Sequence, residues 1–207
     1  LTVTPNPNYY GDIIIDVTVS DGEFTDSQNF ILTVTPVNDA PELAQIDDQA
    51  INEDTELIYS LSASDVDDAE LSYSATVDGN ASVDVTETTL TVTPDTNYNG
   101  IILVSFTVTD GELTDTGSFI VTVTPINDAP VLDFISAQTV NEDSLLTYTL
   151  SATDVDGDVL EYTASVNANA SVSIDESILN ITPYADYNGD IIVSVTVSDE
   201  QLINSGS

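Results

Sequence analysis

Apolar and polar residues alternate along most of this chain with a period of two. Leu57, Tyr59, Leu61 and Ala63 share one parity, followed by Leu71, Tyr73, Ala75 and Val77, then Leu90 and Val92. Val104, Phe106 and Val108 continue the series, and Phe119, Val121 and Val123 close it. Thr and Ser fill most of the positions between them. This is the pattern of strands with one face in a core and the other in water, and Thr suits the outer pleat. Short strands are also expected near Leu43–Ile46 and Ala81–Val85, giving about seven in fewer than 90 residues. No helical stripe interrupts them. An all-β fold follows, with each module a seven-stranded Greek-key β-sandwich of immunoglobulin type.

The modules repeat. LTVTPNPNYYG at Leu1–Gly11 returns as LTVTPDTNYNG at Leu90–Gly100 and as LNITPYADYNG at Leu179–Gly189, a shift of 89 residues each time. The same shift carries Val37–Leu43 onto Ile126–Leu132, Asn52–Thr55 onto Asn141–Ser144, and Ser64–Tyr73 onto Thr153–Tyr162, without a gap. The expected organisation is the C-terminal part of one repeat over 1–36, a joint at 37–41 and a complete repeat over 42–125. A second joint at 126–130 and a third repeat over 131–207, lacking its last strand, complete the window. Both joints are bounded by proline (Pro36 and Pro41, Pro125 and Pro130), which reads as a short, stiff hinge. In each copy a tyrosine (Tyr9, Tyr98, Tyr187) stands two residues before a glycine. That spacing predicts a tyrosine corner, with the ring inward and the hydroxyl bonded back to backbone.

Composition then removes most chemistry. The chain has 207 residues with 37 Asp and Glu, no Lys, Arg or His, and a formal charge of −37. It also has no Cys, Met or Trp. No thiolate nucleophile, disulfide, Schiff base or imidazole–metal site can form. Nothing can neutralise phosphates, so nucleic acid is not a partner, and no apolar run has the roughly 20 residues needed to insert in a membrane. An enzyme is not expected: paired carboxylates could move protons, but these recur once per repeat, whereas a catalytic pair occurs once.

The charge poses a physical question, because no carboxylate can pair with a basic side chain. Two carboxylates about 4 Å apart repel by roughly 4 kcal/mol at a surface-like dielectric. Acidic residues must therefore spread into solvent or share bound cations. Those returning at the 89-residue shift are Glu53 and Glu142, Asp54 and Asp143, Asp65 and Asp154, Asp67 and Asp156, with Asn38-Asp39 and Asn127-Asp128 in the joints. Asp21, Asp110 and Asp199 form a further set. In a seven-stranded sandwich Asp65 and Asp67 fall between the second and third strands, and Asp110 between the sixth and seventh, at the end where the joint enters. Many hard oxygen donors without nitrogen or sulfur specify Ca²⁺ over Mg²⁺, which keeps its waters and a strict octahedron. Dispersed acids such as Asp12, Glu87 and Asp190 are expected only to face solvent.

The run from Thr93 through the FTVTDG of Phe106–Gly111 to the INDAPVL of Ile126–Leu132, with NEDS and DVDGD after it, resembles a cadherin-like repeat of bacterial surface proteins. It is similar to the tandem repeats of very long adhesins and RTX-type proteins. The resemblance covers the whole chain. It implies interdomain calcium as cofactor, with Asn38, Asp39, Asp65, Asp67 and Asp110 at the first joint. At the second joint it implies Glu53 from upstream, Asn127 and Asp128 from the joint, and Asp154, Asp156 and Asp199 from downstream. It further implies a calcium-stiffened stalk segment of an extracellular or cell-surface adhesin or filament. Partners would then be neighbouring repeats, with strand exchange between chains. A glycan-binding adhesion module is the alternative.

Overall fold

A computed structural model describes residues 1–206; Ser207, the last residue of the expected third repeat, lies outside them. Strands occupy the alternating segments, and no helix occurs among the described residues. The chain divides into two compact units, Leu1–Thr124 and Pro125–Ser207.

The first unit opens with a hairpin of β1 (Gly11–Ser20) and β2 (Thr25–Val34), antiparallel in one register from Gly11 opposite Val34 to Ser20 opposite Thr25. These two strands form a sheet of their own. After the joint come β3 (Glu42–Leu43), β4 (Gln49–Asn52), β5 (Leu57–Ser60), β6 (Ala63–Ser64) and β7 (Ser72–Val77). β8 (Ala81–Thr86), β9 (Thr89–Pro94), β10 (Gly100–Thr109) and β11 (Thr114–Thr124) follow. One sheet runs β4-β11-β10-β7 and the other β5-β9-β8, while β3 pairs with β6. β4 lies parallel to β11, from Gln49 beside Val121 to Asn52 beside Thr124. The antiparallel pairing of the non-consecutive strands β7 with β10 and β5 with β9 is the Greek-key connectivity of a sandwich rather than a meander.

Between the sheets lie Leu57, Leu61, Leu90, Val92, Ile102, Val104, Phe106, Phe119, Val121 and Val123, all buried. Every one belongs to the apolar parity read from the sequence or continues it. Phe119 packs near Tyr59 and Phe106, with ring centroids 6.3 and 6.0 Å apart. Gly117 stands under the Phe106 ring, where an added Cβ would come within 2.7 Å of Cζ.

The second unit repeats the arrangement with fewer rungs. β12 (Val131–Leu132) pairs with β14 (Ala152–Thr153), and β13 (Leu146–Thr149) joins β17 (Ile178–Pro183) and β16 (Ala170–Asp175). β15 (Glu161–Val166), β18 (Val193–Ser198) and β19 (Ile203–Gly206) form the facing sheet. Leu150, Ala170, Leu179, Ile181 and Val195 fill the core.

The tyrosine corner is present in all three copies, and its hydroxyl reaches a backbone carbonyl three residues downstream. Tyr98 donates its hydroxyl forward to the carbonyl of Ile101 at 3.0 Å, Tyr9 to Asp12 at 3.1 Å and Tyr187 to Asp190 at 3.1 Å. The tyrosine precedes the strand here, so the first carbonyls of that strand are the ones within reach. Gly100 makes room for this bond. Its φ is +143°, and a Cβ there would meet the Tyr98 hydroxyl at 2.8 Å.

Candidate metal centre

Each joint is bolted to the loops of the sandwich that follows it. In the first unit the joint precedes β3, and Asp65 and Asp67 sit between β6 and β7, while Asp110 sits between β10 and β11. Asn38 Nδ2 donates to Asp110 Oδ2 at 2.8 Å, and the Asp39 amide donates to Asp67 Oδ2 at 2.8 Å. Asp67 and Asp68 in turn give their amides to Asp65 Oδ1 at 2.8 and 2.9 Å, closing an Asx-type turn. Asn38, Asp39, Asp65, Asp67 and Asp110 are thereby drawn into one end of this sandwich.

The second unit reproduces the same bonds 89 residues on. Asn127 Nδ2 donates to Asp199 Oδ2 and the Asp128 amide to Asp156 Oδ2, both at 2.8 Å, and the Asp156 amide donates to Asp154 Oδ1 at 2.9 Å. One contact is new. Gln201 Nε2 donates to Asn127 Oδ1 at 3.0 Å, where the first unit has Glu112, which carries no donor.

Hydrogen bonding sorts the carboxylates into those that anchor the joint and those that keep an open oxygen. Asp110 Oδ1 takes the amides of Glu112 and Leu113, both at 2.7 Å, and its Oδ2 takes Asn38. The Leu113 amide, then Asn38 and the Glu112 amide, stabilise the anion and hold its pKa below the usual aspartate value. Asp199 is only 5% exposed, yet its pKa is also lowered: the Leu202 amide leads, with Asn127 and Gln201 outweighing the desolvation that opposes them. Both groups are thus held as anions by donors that fix the joint.

Asp65 and Asp154 behave differently. Their Oδ1 atoms close the turn, whereas Oδ2 in each is shielded from solvent and accepts no hydrogen bond among the described residues. A buried anionic oxygen without a donor is costly. No cationic side chain exists to relieve it. The same atom is stranded at the same place in both units, which is the condition a bound cation would answer.

Around Asp154 stands a further carboxylate, that of Asp158, which the repeat did not disclose. Asp154, Asp156 and Asp158 each offer an oxygen within 4.8 Å of the others. Two oxygens on one Ca²⁺ at 2.3–2.6 Å can be at most about 5 Å apart, so this spacing fits a single ion. Asp158 corresponds to Ala69 in the first unit, where Asp68 is the neighbouring acid, and a residue absent from the other copy escapes a search for recurrence.

Glu53 lies at the other end of the first unit. It is 4% exposed, and its amide donates to the carbonyl of Thr124 at 2.9 Å, beside the last residue of β11. Its counterpart Glu142 is exposed. Asp54 and Asp143 serve the fold there: each accepts an amide of the turn before the sixth strand, from Asn97 at 3.0 Å and from Asp186 at 3.1 Å.

Comparison with known proteins agrees with this architecture. Residues 37–124 match the cadherin-like domain family, and residues 127–206 match the bacterial Ig domain family. Chitinase A of Pseudoalteromonas piscicida is 33% identical over 145 residues, covering 66% of this chain and 17% of the chitinase. Among solved structures, mouse protocadherin-24 EC1-3 superposes with a TM-score of 0.52 at 15% identity, over 97% of this chain and 79% of that one, a likeness of fold. The endo-fucoidan hydrolase MfFcnA4 aligns at a TM-score of 0.38 and 16% identity, over 98% of this chain and 34% of its own length. This chain therefore spans only a minor part of the two hydrolases it matches. With the alternating strands, the two sandwich units and both family matches in place, residues 37–124 are a cadherin-like repeat and residues 127–206 a bacterial Ig-like one.

Proposed function

We propose that this chain is a spacer segment of an extracellular surface protein, stiffened by Ca²⁺ held at its joints. The supporting observation is the stranded Oδ2 of Asp65 and Asp154, at equivalent places beside a joint, in a chain without a single basic side chain. At the first joint Asp65 and Asp67 would hold the ion, with Asn38, Asp39 and Asp110 setting the joint against them. At the second, Asp154, Asp156 and Asp158 would hold it, with Asn127, Asp128 and Asp199 in the corresponding places.

The physical action is neutralisation. Without a cation the carboxylates of a joint repel, and only the hydrogen bonds of the joint residues oppose that repulsion. With Ca²⁺ the repulsion becomes shared attraction, and binding adds stability as the logarithm of the ion concentration over its dissociation constant, about 2.7 kcal/mol at a hundredfold excess. Calorimetric titration with Ca²⁺ should give saturable binding that Asp65→Asn combined with Asp154→Asn abolishes. A matching rise in melting temperature and a narrower range of dimensions in small-angle scattering are also expected. No heat and no change in either property would refute the reading.

The chitinase match favours a second setting for the same role, as a spacer in a secreted glycan-degrading protein rather than in an adhesin. Neither setting calls for glycan binding by the repeats themselves, and a glycan array probed with this chain should stay blank. A positive array would move the reading to the glycan-binding module.

A further inference from the structure

The sheet β4-β11-β10-β7 turns one face to the core and the other outward. The outward positions of 72–76, 105–109 and 114–118 are Ser or Thr throughout and lie in register across three strands. Beyond them Leu103 stands opposite Ile120 and Ile101 opposite Thr122. Ile101 is 62% exposed and Leu103 40%. No outward position of these four strands carries a carboxylate, although the chain has 37 of them. Asp48 and Asp78 lie just before β4 and just after β7, and Oδ1 of each is tied to a backbone amide, of Ile120 and of Leu103.

The equivalent positions of the other two copies are not cleared in this way. Asp12 and Asp16 on β1 stand where β10 has Ile101 and Ser105, and Asp190 and Glu161 stand where the complete repeat has Ile101 and Ser72; all four are exposed. A face that stays in water gains nothing by losing its charge, whereas a face that must leave water does. We propose that this face pairs with the same face of a second copy of the chain. Charge selects the occupant. Two partners at −37 repel over most of their surface and can approach only where neither presents a carboxylate. A basic partner would be met by acids kept on the face, and a sugar chain by aromatic rings; the outward positions hold neither.

Sheet-on-sheet packing gives the contact its form. Two twisted sheets stack about 10 Å apart with their strands within about 30° of each other, and short Ser and Thr side chains let them come close. The four strands present roughly 500 Å² per copy, at about 4.8 Å between strands and about 3.4 Å per residue. That is the low end for a specific interface, so the dimer is weak, with Ile101, Leu103 and Ile120 as its apolar anchors. Because one patch meets itself, the contact closes on a two-fold axis and stops at two copies. It does not depend on Ca²⁺ at the joints, so its failure and that of the calcium reading are separate.

Sedimentation velocity on the whole chain up to about 1 mM tests this. Sodium chloride is raised stepwise to about 1 M, where the screening length falls to about 3 Å. The expected result is a monomer–dimer equilibrium that tightens at least tenfold as the salt rises, with no larger species. Ile101→Asp combined with Ser105→Asp gives the face the acids that β1 already carries at those positions. It should weaken the dimer at least tenfold while circular dichroism stays unchanged. Ile58→Asp, 66% exposed on the opposite sheet, should leave the dimer intact. A native chain that stays monomeric throughout overturns the proposal, as do species larger than a dimer. So does a dimer that the double variant leaves unchanged, or one that Ile58→Asp weakens as much. A monomer that binds a neutral glycan and loses it in the double variant would give the face to another occupant, and equally overturns the pairing.

Discussion

The pair β1–β2 and the pair β10–β11 are nearly the same piece of chain in two surroundings. Each is a ten-rung antiparallel ladder, Gly11 opposite Val34 in one and Gly100 opposite Val123 in the other. Their burial is opposite. Val108 is 0% exposed and Val19 67%, while Phe119 is 3% exposed and Phe30 48%. Strand, turn and register are therefore properties of the local pattern, whereas burial is conferred by the sheet of β5, β9 and β8, which among the described residues faces the second pair alone. The same side chain is a core residue or a surface residue according to what faces it.

The largest test of that difference is truncation of the matched phenylalanines. Phe119→Ala should cost about 3–5 kcal/mol in chemical denaturation of the first unit, as for any large aromatic removed from a packed core. Phe30→Ala should change the same transition by less than about 0.5 kcal/mol. Equal effects would mean that the hairpin is packed as firmly as its counterpart.

Gly117 offers a finer probe, since its hairpin counterpart is Gln28. Gly117→Ala places a Cβ at 2.7 Å from the Phe106 ring and should cost about 1–3 kcal/mol through overpacking. Gln28→Ala has no ring above it to displace and should be silent. Thermal melts of the two variants side by side would decide.

The smallest effect concerns protons. Asp21 and Asp110 both accept two amides from the turn that follows, but only Asp110 also accepts Asn38. The Phe24 and Glu23 amides lower the Asp21 pKa; the Leu113 amide, Asn38 and the Glu112 amide lower that of Asp110. A carboxyl with a lowered folded-state pKa contributes its stability above the unfolded value, 3.8 here, and loses it as pH falls through the lower folded value. Asn38→Ala should raise the Asp110 pKa while leaving Asp21 in place. It should also remove part of the stability above pH 3.8, so that acid unfolding begins at higher pH. Carboxyl-resolved NMR titration reads both residues in one sample, and an unmoved Asp110 would show that the amides alone hold the anion.

Much of this architecture is legible from period and repetition. Alternation places Leu57, Val92, Phe106 and Val121 in one core because a half-buried strand leaves no other pattern, and the joint contacts Asn38–Asp110 and Asn127–Asp199 lie among residues that the 89-residue shift picks out. What stays hidden depends on partners distant in sequence or on a single copy. The parallel pairing of β4 with β11 joins segments about 70 residues apart, and nothing in Gln49–Asn52 announces it. Asp158 and the Gln201–Asn127 contact have no counterpart at the shift, so recurrence passes over them. Local alternation cannot tell the ladder of β4 from the unpaired segment 138–141, since the difference lies in whether a neighbour arrives. The direction of the tyrosine corner depends on which carbonyls the turn brings within reach of the hydroxyl.

That parallel pairing also settles how a single repeat would answer to tension. Pulled from the N-terminal side of β4 and the C-terminal side of β11, the two strands slide along each other. The rungs from Gln49–Val121 to Asn52–Thr124 are then strained together and must rupture as a group. An antiparallel pair pulled at its open end would unzip one rung at a time. A sandwich tied in this way resists stretching far better than its modest number of rungs would suggest.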